Sequence, residues 1–304
     1  MLRFVLRSLL LAVLVCLTVL IISFALSRLS GNLAINIAGP DASPEAIATI
    51  EHELGLDRPL PVQFMEWASR AAHGDLGSSY MYHATVASLI ASHLPVTLRL
   101  GAIAIAIAIA IAVPLGILAA LNEGTWIDVG VGMVALAGQA VPSFWLGLVL
   151  ILWFGVDLHW LPIAGLATWR GYVLPSFVLS FVAIPVMLRL TRGGMIDAMR
   201  ADYVRTARAK GLSRASIVLK HAFRNAAMPV VAVSAVQLGF ILGGSVVTEV
   251  VFNVRGVGYL AWESIGKGDF PVVQAVVLLF AIIFVLLTLF ADLMGALLDP
   301  RLRG

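Results

Sequence analysis

The chain has 304 residues, of which 61% are hydrophobic and 12% are charged. Soluble domains average roughly 25% charged residues, so this composition excludes an ordinary soluble fold and predicts a protein with several membrane spans. The formal net charge of +3 is too small to indicate nucleic-acid binding, and the single cysteine, Cys16, excludes an intrachain disulfide framework.

Apolar segments long enough to cross a bilayer as helices recur along the whole chain. We therefore predict an all-α membrane protein with six transmembrane helices, at residues 9–26, 98–121, 129–154, 172–190, 226–247 and 272–298. A second division follows from polarity: an anchor span at 1–29, an extracytoplasmic helical insertion at 30–94, and a five-span core at 95–304 with a cytoplasmic loop at 195–225.

Basic residues indicate the orientation of the chain, because cytoplasmic loops carry an excess of Lys and Arg. Both termini and the loop after the fourth span are predicted to be cytoplasmic, on the basis of Arg3, Arg7, the basic residues between 189 and 224, Arg301 and Arg303. The short loop at 122–128 would also be cytoplasmic, yet it carries Glu123 and Asp128 and no Lys or Arg.

The first apolar segment has two interpretations. Arg3 and Arg7 before it, and the small residues of Ala25-Leu26-Ser27 after it, are compatible with a cleavable signal peptide. The apolar run is longer than the core of a usual signal peptide, so a retained anchor is the favoured interpretation.

The polar insertion carries helix start and stop residues. Ser43-Pro44-Glu45 predicts the beginning of a helix, and Gly55 its end. A second helix is predicted over 61–72, with Gly74 as its stop, and Pro95 is expected to separate an interfacial segment at 85–93 from the second span.

Alanine alternates with isoleucine over 101–112, a period of two that is typical of a strand. Both phases are apolar, so we interpret the segment as part of a spanning helix. Bends are expected where prolines lie within or at the ends of spans, at Pro114, Pro142, Pro185 and Pro229. The small residues Gly239, Gly243 and Gly244 favour close helix packing, either within the chain or at a subunit interface.

The segment from Asp197 to Gly211 is basic and helix-forming, and lipid cannot surround it. Asp197 and Asp202 near its beginning and Lys210 near its end complement the helix dipole, and Gly211 is expected to end it. Ser213 is placed to cap the next helix, and the small apolar positions Tyr203, Val204 and Ala207 are expected to suit a protein partner. The alternative is a solvated basic loop that only fixes the topology.

Residues 202–213, DYVRTARAKGLS, resemble the cytoplasmic loop of the permease subunits of ATP-binding-cassette importers, specifically the dipeptide, oligopeptide and nickel group. The segments that follow, at 220–226 and 229–231, belong to the same resemblance. It extends through the chain at 54–63, 74–77, 94–97, 248–252, 256–258, 269–274 and 298–301. The sequence departs from the family pattern at two places. The broader importer family has Glu-Ala-Ala where this chain has Arg205-Thr206-Ala207. The region 30–40 lacks the Pro-Gly-Asp that often follows the first span in such permeases.

This resemblance implies a type I importer permease fold in a bacterial inner membrane. It further implies a second, paralogous permease, two ATP-binding subunits and an extracytoplasmic solute-binding protein as partners. The basic segment would be the coupling helix that seats in an ATPase subunit. Its residues would be Asp202, Tyr203, Val204, Arg205, Thr206, Ala207, Arg208, Lys210 and Gly211.

The chain itself is not expected to be an enzyme. A phosphate loop needs Gly-x4-Gly-Lys-Ser/Thr, and the Gly266-Lys267 pair is followed by Gly268. The histidines lack the spacing of a metal site, so we predict no catalytic residue, metal or cofactor in this chain, and expect partner subunits to bind ATP and Mg²⁺.

Polar residues in apolar segments are candidates for a translocation path, because their burial against lipid is unfavourable. They are Gln139, Ser143, Ser180 and Gln237, for which helix-to-helix hydrogen bonding is the alternative. The predicted function is therefore one subunit of an ATP-driven importer. Its solute would be a peptide or a similar small polar molecule, a class that includes nickel chelates. A self-sufficient channel or ion-driven carrier, and a structural scaffold, are the alternatives from other classes.

Overall fold

The computed structural model describes residues 2–29, 33–38, 42–53 and 55–298. In these ranges the chain consists of helices and their connections, with one isolated antiparallel bridge between Ser78 and Thr85. The all-α prediction is confirmed. Arg301 and Arg303, which contributed to the predicted position of the C-terminus, lie outside the described residues.

Four helices precede the central bundle: α1 (Leu2–Leu29), α2 (Leu33–Ala38), α3 (Pro44–Glu53) and α4 (Leu60–Ala72). The bundle continues with α5 (Val86–Leu121), α6 (Trp126–Ala140), α7 (Ser143–Leu150), α8 (Val173–Arg200), α9 (Asp202–Ala209) and α10 (Arg214–Ser216). It ends with α11 (Phe223–Val251), α12 (Val257–Gly266) and α13 (Phe270–Leu298). A π-helical stretch follows α7 at Ile151–Asp157, and another joins α10 to α11 at Ile217–Ala222.

The third predicted span, 129–154, is not one straight helix. Within the described residues, five helical segments are long and apolar enough to cross a membrane, and the sixth is a pair bent by 99°. The pair meets at Pro142, and Val141 before it is extended, at φ −84° and ψ 121°. A proline disfavours the helical conformation of the residue that precedes it, so α6 ends at Ala140.

Helix α5 runs through Pro95, so the predicted separation at that proline is wrong, and the boundary placed at residue 94 falls inside the helix. The first turns of α5 are held by tertiary contacts, because Val86 and Ile90 are buried against Val257 and Leu260. This packing outweighs the one backbone hydrogen bond that proline removes. At 36 residues, α5 is about 54 Å long and exceeds the thickness of the hydrocarbon core.

The helix boundaries predicted in the insertion are confirmed. The Ser43 hydroxyl accepts a hydrogen bond of 3.2 Å from the Ala46 amide at the start of α3. Helix α4 begins one residue before the predicted position and ends before Gly74, whose φ is 84°. Local capping chemistry therefore fixes these short helices.

The centre of the bundle is the contact between α5 and α8. Every fourth residue of α5 is small or apolar and buried there, and these residues are Leu100, Ala104, Ala108, Ala112, Gly116 and Ala120. A Cβ on Gly116 would lie 2.7 Å from the Thr191 Cβ. The alanines of the alternating segment thus let two spans approach closely, which confirms its helical interpretation.

Of the glycines of the fifth span, Gly239 serves packing within the chain, and the surroundings of Gly243 and Gly244 are open in the described part of the chain. A Cβ on Gly239 would lie 2.8 Å from Phe284 Cδ2, so this glycine serves packing against α13. Around Gly243 and Gly244, no described atom lies within 4 Å of an added Cβ.

Candidate docking site

The basic segment after the fourth span is divided by a sharp turn. Helix α8 continues to Arg200, and Ala201 then adopts an extended conformation with φ −71° and ψ 150°. Helix α9 starts at Asp202, so the single rod predicted from Asp197 to Gly211 is wrong, and Asp197 belongs to the spanning helix.

Two apolar side chains attach α9 to the rest of the chain. Val204 is fully buried and Ala207 is 5% exposed, and both pack against Ile217 and the half-buried Met199. The expectation that Val204 and Ala207 face a partner is therefore wrong, because they face this chain. They orient α9, and the opposite side of the helix stays accessible.

The accessible side of α9 is mainly cationic. Its exposed side chains are Asp202, Tyr203, Arg205, Thr206, Arg208 and, just after the helix, Lys210. Tyr203 is 40% exposed, which leaves an aromatic surface beside the charges. The Arg205 and Asp202 side chains lie 3.5 Å apart and are both highly exposed, so their attraction is weak. Three cations against one anion make this face suitable for an acidic partner surface.

The end of α9 depends on Gly211. Its φ is 74°, a left-handed conformation that glycine adopts without strain. The Leu212 amide donates to the Ala207 carbonyl at 3.3 Å and the Gly211 amide to that of Arg208 at 2.9 Å, the pattern of a glycine-terminated helix. The Ser216 amide then donates to the Ser213 hydroxyl at 3.3 Å. The predicted stop at Gly211 and cap at Ser213 are both confirmed.

The acidic loop before α6 is neutralised by arginines of α8. Asp128 receives two hydrogen bonds from Arg192, of 2.5 and 2.6 Å, and one from the Gly124 amide, of 3.1 Å. Glu123 is bound by Arg200 at 2.9 Å. In the sequence these two acids are visible only as an exception to the excess of Lys and Arg in cytoplasmic loops. Their pairing explains how an acidic loop lies at the same end of the bundle as the basic segment.

A cavity of about 550 Å³ opens beside α9. It lies between the last turn of α5 and the segment that follows α9, and it is lined by Leu121, Met199, Leu212, Ile217 and the arginines Arg208 and Arg214. The docking site, defined as the exposed face of α9 with this cavity, thus combines positive charge with an apolar recess.

A buried carboxylate organises the opposite end of the bundle. Glu249 is fully buried in α11, and its Oε1 accepts hydrogen bonds from the Thr97 hydroxyl at 2.7 Å and the Ser245 hydroxyl at 3.0 Å. Its Oε2 accepts from the Tyr259 amide at 2.8 Å, and the Val257 amide donates to Thr97 at 2.9 Å. This Glu249 cluster therefore ties the start of α12 to both α5 and α11.

The glycine motif at 256–258 belongs to the Glu249 cluster. A Cβ on Gly258 would lie 2.7 Å from the Val246 Cα and 2.9 Å from Glu249 Oε2, so only glycine fits there. Residues 248–252 and 256–258 contribute to the family resemblance of the sequence, but the role of Glu249 was not predicted. A carboxylate inside an otherwise apolar span was the available clue, because such residues are rarely left without partners.

The four candidates for the translocation path do not form one group. Gln139 is exposed and Ser143 is half-buried, on either side of the bend at Pro142. Ser180 is fully buried and donates to the Phe177 carbonyl at 2.7 Å, and Gln237 is 8% exposed. In the described part of the chain no hydrogen bond joins any two of them. In the same residues, no three His, Cys, Asp or Glu side chains are close enough together to hold a metal ion.

The described chain is a bundle of apolar helices with one broken span and a short cationic helix at one end, which is the architecture of a polytopic membrane protein. The family profile described as binding-protein-dependent transport system inner membrane component matches residues 112–304, and the N-terminal profile of the same transport systems matches residues 1–101. The chain belongs to this family, in the dipeptide, oligopeptide and nickel group of ATP-binding-cassette importers, and is an inner-membrane permease.

Relatives support this membership over the full length. The chain is 42% identical to the glutathione transport system permease protein GsiC of Salmonella choleraesuis strain SC-B67, covering 100% of this chain and 99% of that protein. It is 41% identical, with the same coverage, to GsiC of Escherichia coli strain K12.

A solved structure shares the fold. An inward-facing structure of the MetNI methionine ABC transporter matches with a TM-score of 0.54 and 19% identity, covering 71% of this chain and 95% of that one.

Proposed function

We propose that this permease is one transmembrane subunit of an ATP-driven importer for glutathione or a similar small peptide-like solute. A second permease of related sequence completes the channel, two ATPase subunits bind ATP and Mg²⁺, and an extracytoplasmic binding protein delivers the solute. Identity of 42% over the whole chain to a glutathione transport system permease is the observation that carries the substrate class.

The docking site is where an ATPase subunit binds in this proposal. The two sides of α9 support it: Val204 and Ala207 attach the helix to its own chain, and Tyr203, Arg205 and Arg208 are left accessible. An isolated, solvated loop would need no buried attachment. The cavity beside α9 offers a recess for an apolar side chain from the partner.

Movement of α9 is transmitted along two connections. Ala201 joins it directly to α8, and Val204 and Ala207 contact Ile217, which leads into α11. Both spanning helices pack against the centre of the bundle, so displacement of α9 by closing ATPases would shift them together. A nearly complete exchange between inward-open and outward-open states requires that ATP favour one of them by about 5 kcal/mol.

The same proposal fixes the sidedness of the chain. The docking site and both termini are cytoplasmic, and residues 30–94 together with 248–270 face the binding protein. The bias of Lys and Arg supports this orientation, and the pairing of Glu123 and Asp128 with arginines removes its apparent exception.

Gln139 and Ser143 are the better supported of the proposed path residues. They flank the bend between α6 and α7, where a broken span leaves backbone groups that need polar surroundings or protein. Ser180 and Gln237 are buried in this conformation, so they would line the path only after the helices rearrange.

The test is purification of the tagged chain from native membranes, followed by reconstitution into liposomes. Co-purification of ATPase subunits and uptake of glutathione that requires ATP are expected. Solute flux by the chain alone without ATP would instead indicate a channel or ion-driven carrier. Absence of both flux and ATPase partners would indicate a scaffold.

A further inference from the structure

A second cavity, of about 920 Å³, lies at the opposite end from the docking site. Its walls come from the end of α1, from α4, from the connection at 75–80 and from the start of α13. Charged side chains of both signs line it: Arg28, Arg58, Arg70, Glu53, Glu66 and Asp75. The cavity lies largely within residues 30–94, and the proposed function assigns no ligand to it.

Arg28 is the distinctive group of this cavity. Its guanidinium lies 5.1 Å from the centre of the Phe24 ring, and its Nε is buried and has no hydrogen-bond partner among the described residues. Arg58, which lines the same cavity, is bound by Glu66 at 2.6 Å. A buried donor without a partner is unfavourable, so a ligand that accepts a hydrogen bond from Arg28 would be bound more tightly.

The surroundings of Arg28 are held by contacts between α1, α4 and α13. At the floor of the cavity the Gln274 side-chain amide donates to the buried Ser27 hydroxyl at 2.6 Å, which ties α1 to α13. On the other side the Phe24 ring packs against Phe64 and Trp67 of α4, with ring centres 5.5 and 6.1 Å apart. These contacts place the end of α1 beside α4 and α13, which form the walls around Arg28.

The position of Arg28 along α1 matches the depth of lipid headgroups. The apolar part of the helix runs from Leu10 to Leu29, so Arg28 lies about 27 Å from Leu10 along the axis and reaches the edge of a hydrocarbon core of about 30 Å. Only 11% of this apolar window is buried inside the chain, so most of its surface is free to contact acyl chains. Nearby on α4, Leu60 and Met65 are 57% and 70% exposed, as expected of a helix at the interface.

We propose that this cavity binds the phosphodiester headgroup of a phospholipid, with Arg28 donating to the phosphate oxygens and the acyl chains lying along the exposed face of α1. A guanidinium matches phosphate geometry because its donors form a planar fork. The bound lipid would join the anchor span to the insertion. The proposal needs only a membrane location, so it does not depend on the substrate or on the ATPase partners.

The experiment measures lipid binding to the full chain, purified in detergent with its co-purifying partners and stripped of lipid. Phosphatidylglycerol is titrated while bound lipid is counted by native mass spectrometry and the melting temperature is recorded. Diacylglycerol with the same acyl chains is the ligand control, because it lacks only the phosphate headgroup. The variants are Arg28→Gln, Arg28→Lys and, as a matched control outside the cavity, Arg170→Gln.

Phosphatidylglycerol, and not diacylglycerol, is expected to bind and to raise the melting temperature of the unaltered chain. Arg28→Gln should weaken binding about tenfold or more, Arg28→Lys should recover part of it, and Arg170→Gln should bind normally.

Equal binding by Arg28→Gln and the unaltered chain would overturn the proposal. So would Arg28-dependent stabilisation by inorganic phosphate without lipid, because the site would then belong to a soluble anion. Thermal unfolding of Arg28→Gln without lipid shows whether that variant is folded. If it is not folded, the comparison between Arg28→Lys and the unaltered chain is the test. Equal lipid binding by these two proteins would then overturn the role of the planar guanidinium.

Discussion

Two short helices, α9 and α12, each follow a spanning helix, at opposite ends of the molecule, and they are held in opposite ways. Helix α12 begins on the Glu249 cluster, and Val257, Leu260 and Ala261 are buried against α5 and α13. Helix α9 has no side-chain cap at its start and buries only Val204 and Ala207.

The two helices differ in how their polar groups are paired within the chain. Both carboxylate oxygens of Glu249 accept hydrogen bonds from groups of this chain, and these bonds hold the start of α12. The charges of α9 have only one weak ion pair, between Arg205 and Asp202, among the described residues. Its cationic face is therefore accessible to another protein.

The largest predicted effect follows removal of the buried carboxylate. Glu249→Ala leaves the buried Thr97 hydroxyl and the Tyr259 amide without their acceptor, whereas Ser245 keeps the Leu242 carbonyl, and the change should destabilise the chain by about 3 kcal/mol. The melting temperature of the purified chain in a fixed detergent measures this loss. Asp202→Ala on α9 is the matched control, and it should change stability by less than about 0.5 kcal/mol. Equal melting temperatures for the two variants would remove the contrast between the two ends.

Detachment of α9 is predicted to abolish coupling without unfolding the bundle. Ala207→Glu forces a carboxylate into the small apolar cluster of Val204, Ala207 and Ile217, where an unpaired charge is strongly unfavourable. ATP-driven uptake should fall at least tenfold while the amount of protein in the membrane stays the same. Ala207→Ser, which adds no charge, is the control and should transport nearly normally. Normal uptake by Ala207→Glu would reject the docking assignment.

Changes at Gly211 should reduce coupling less severely. Proline fixes φ near −65°, whereas Gly211 has φ 74° and donates its amide to the Arg208 carbonyl. We expect Gly211→Pro to transport several-fold less solute per ATP hydrolysed, because the orientation of α9 is lost. Gly211→Asn tests the cause, since asparagine tolerates the left-handed conformation and should retain most of the coupling. If both variants couple equally well, the end of α9 does not control its orientation.

The smallest predicted effect concerns the surface of α12. Glu263 accepts hydrogen bonds from Lys267 at 2.7 Å and from the Tyr82 hydroxyl at 2.5 Å, and these two partners, Lys267 first, lower the pKa of its carboxyl below the ordinary value of 4.5. Since this pKa is lowered in the folded state, the carboxylate stabilises the chain above pH 4.5 and loses that contribution as the pH falls through the folded value.

Glu263→Gln should therefore lower stability by no more than about 1 kcal/mol at neutral pH, because the pair with Lys267 is partly exposed. The difference in melting temperature between the unaltered chain and this variant should shrink on acidification below pH 4.5. A difference that grows as the pH falls would contradict the assigned direction.

Features that depend on a few neighbouring residues were predictable from the sequence. The cap at Ser43 and the stops at Gly74 and Gly211 are local backbone and hydrogen-bond requirements, and the structure contains all three. The presence of six apolar segments was also predictable, because bilayer thickness fixes their length.

Features that depend on contacts between distant residues were not predictable. Asp128 and Arg192 are separated by 64 positions, and Thr97 and Glu249 by 152, so no local pattern indicates either pair. The inward direction of Val204 and Ala207 likewise depends on Ile217, which becomes their neighbour only after the chain turns at Gly211. Small apolar residues on a basic helix are compatible with either a partner or the chain itself, and only packing distinguishes the two.

Site-directed cross-linking tests the role of α9 most directly. Replacing the single cysteine by Cys16→Ser leaves a cysteine-free chain, into which Arg205→Cys places one thiol on the exposed face of α9. Trp169→Cys, at a position that is 73% exposed in the loop before α8, is the control. In native membranes a short thiol-reactive photo-cross-linker is expected to join the Arg205→Cys chain, and not the Trp169→Cys chain, to an ATP-binding subunit. Failure of the Arg205→Cys chain to capture that subunit, while the transporter remains assembled and active, would contradict docking through α9.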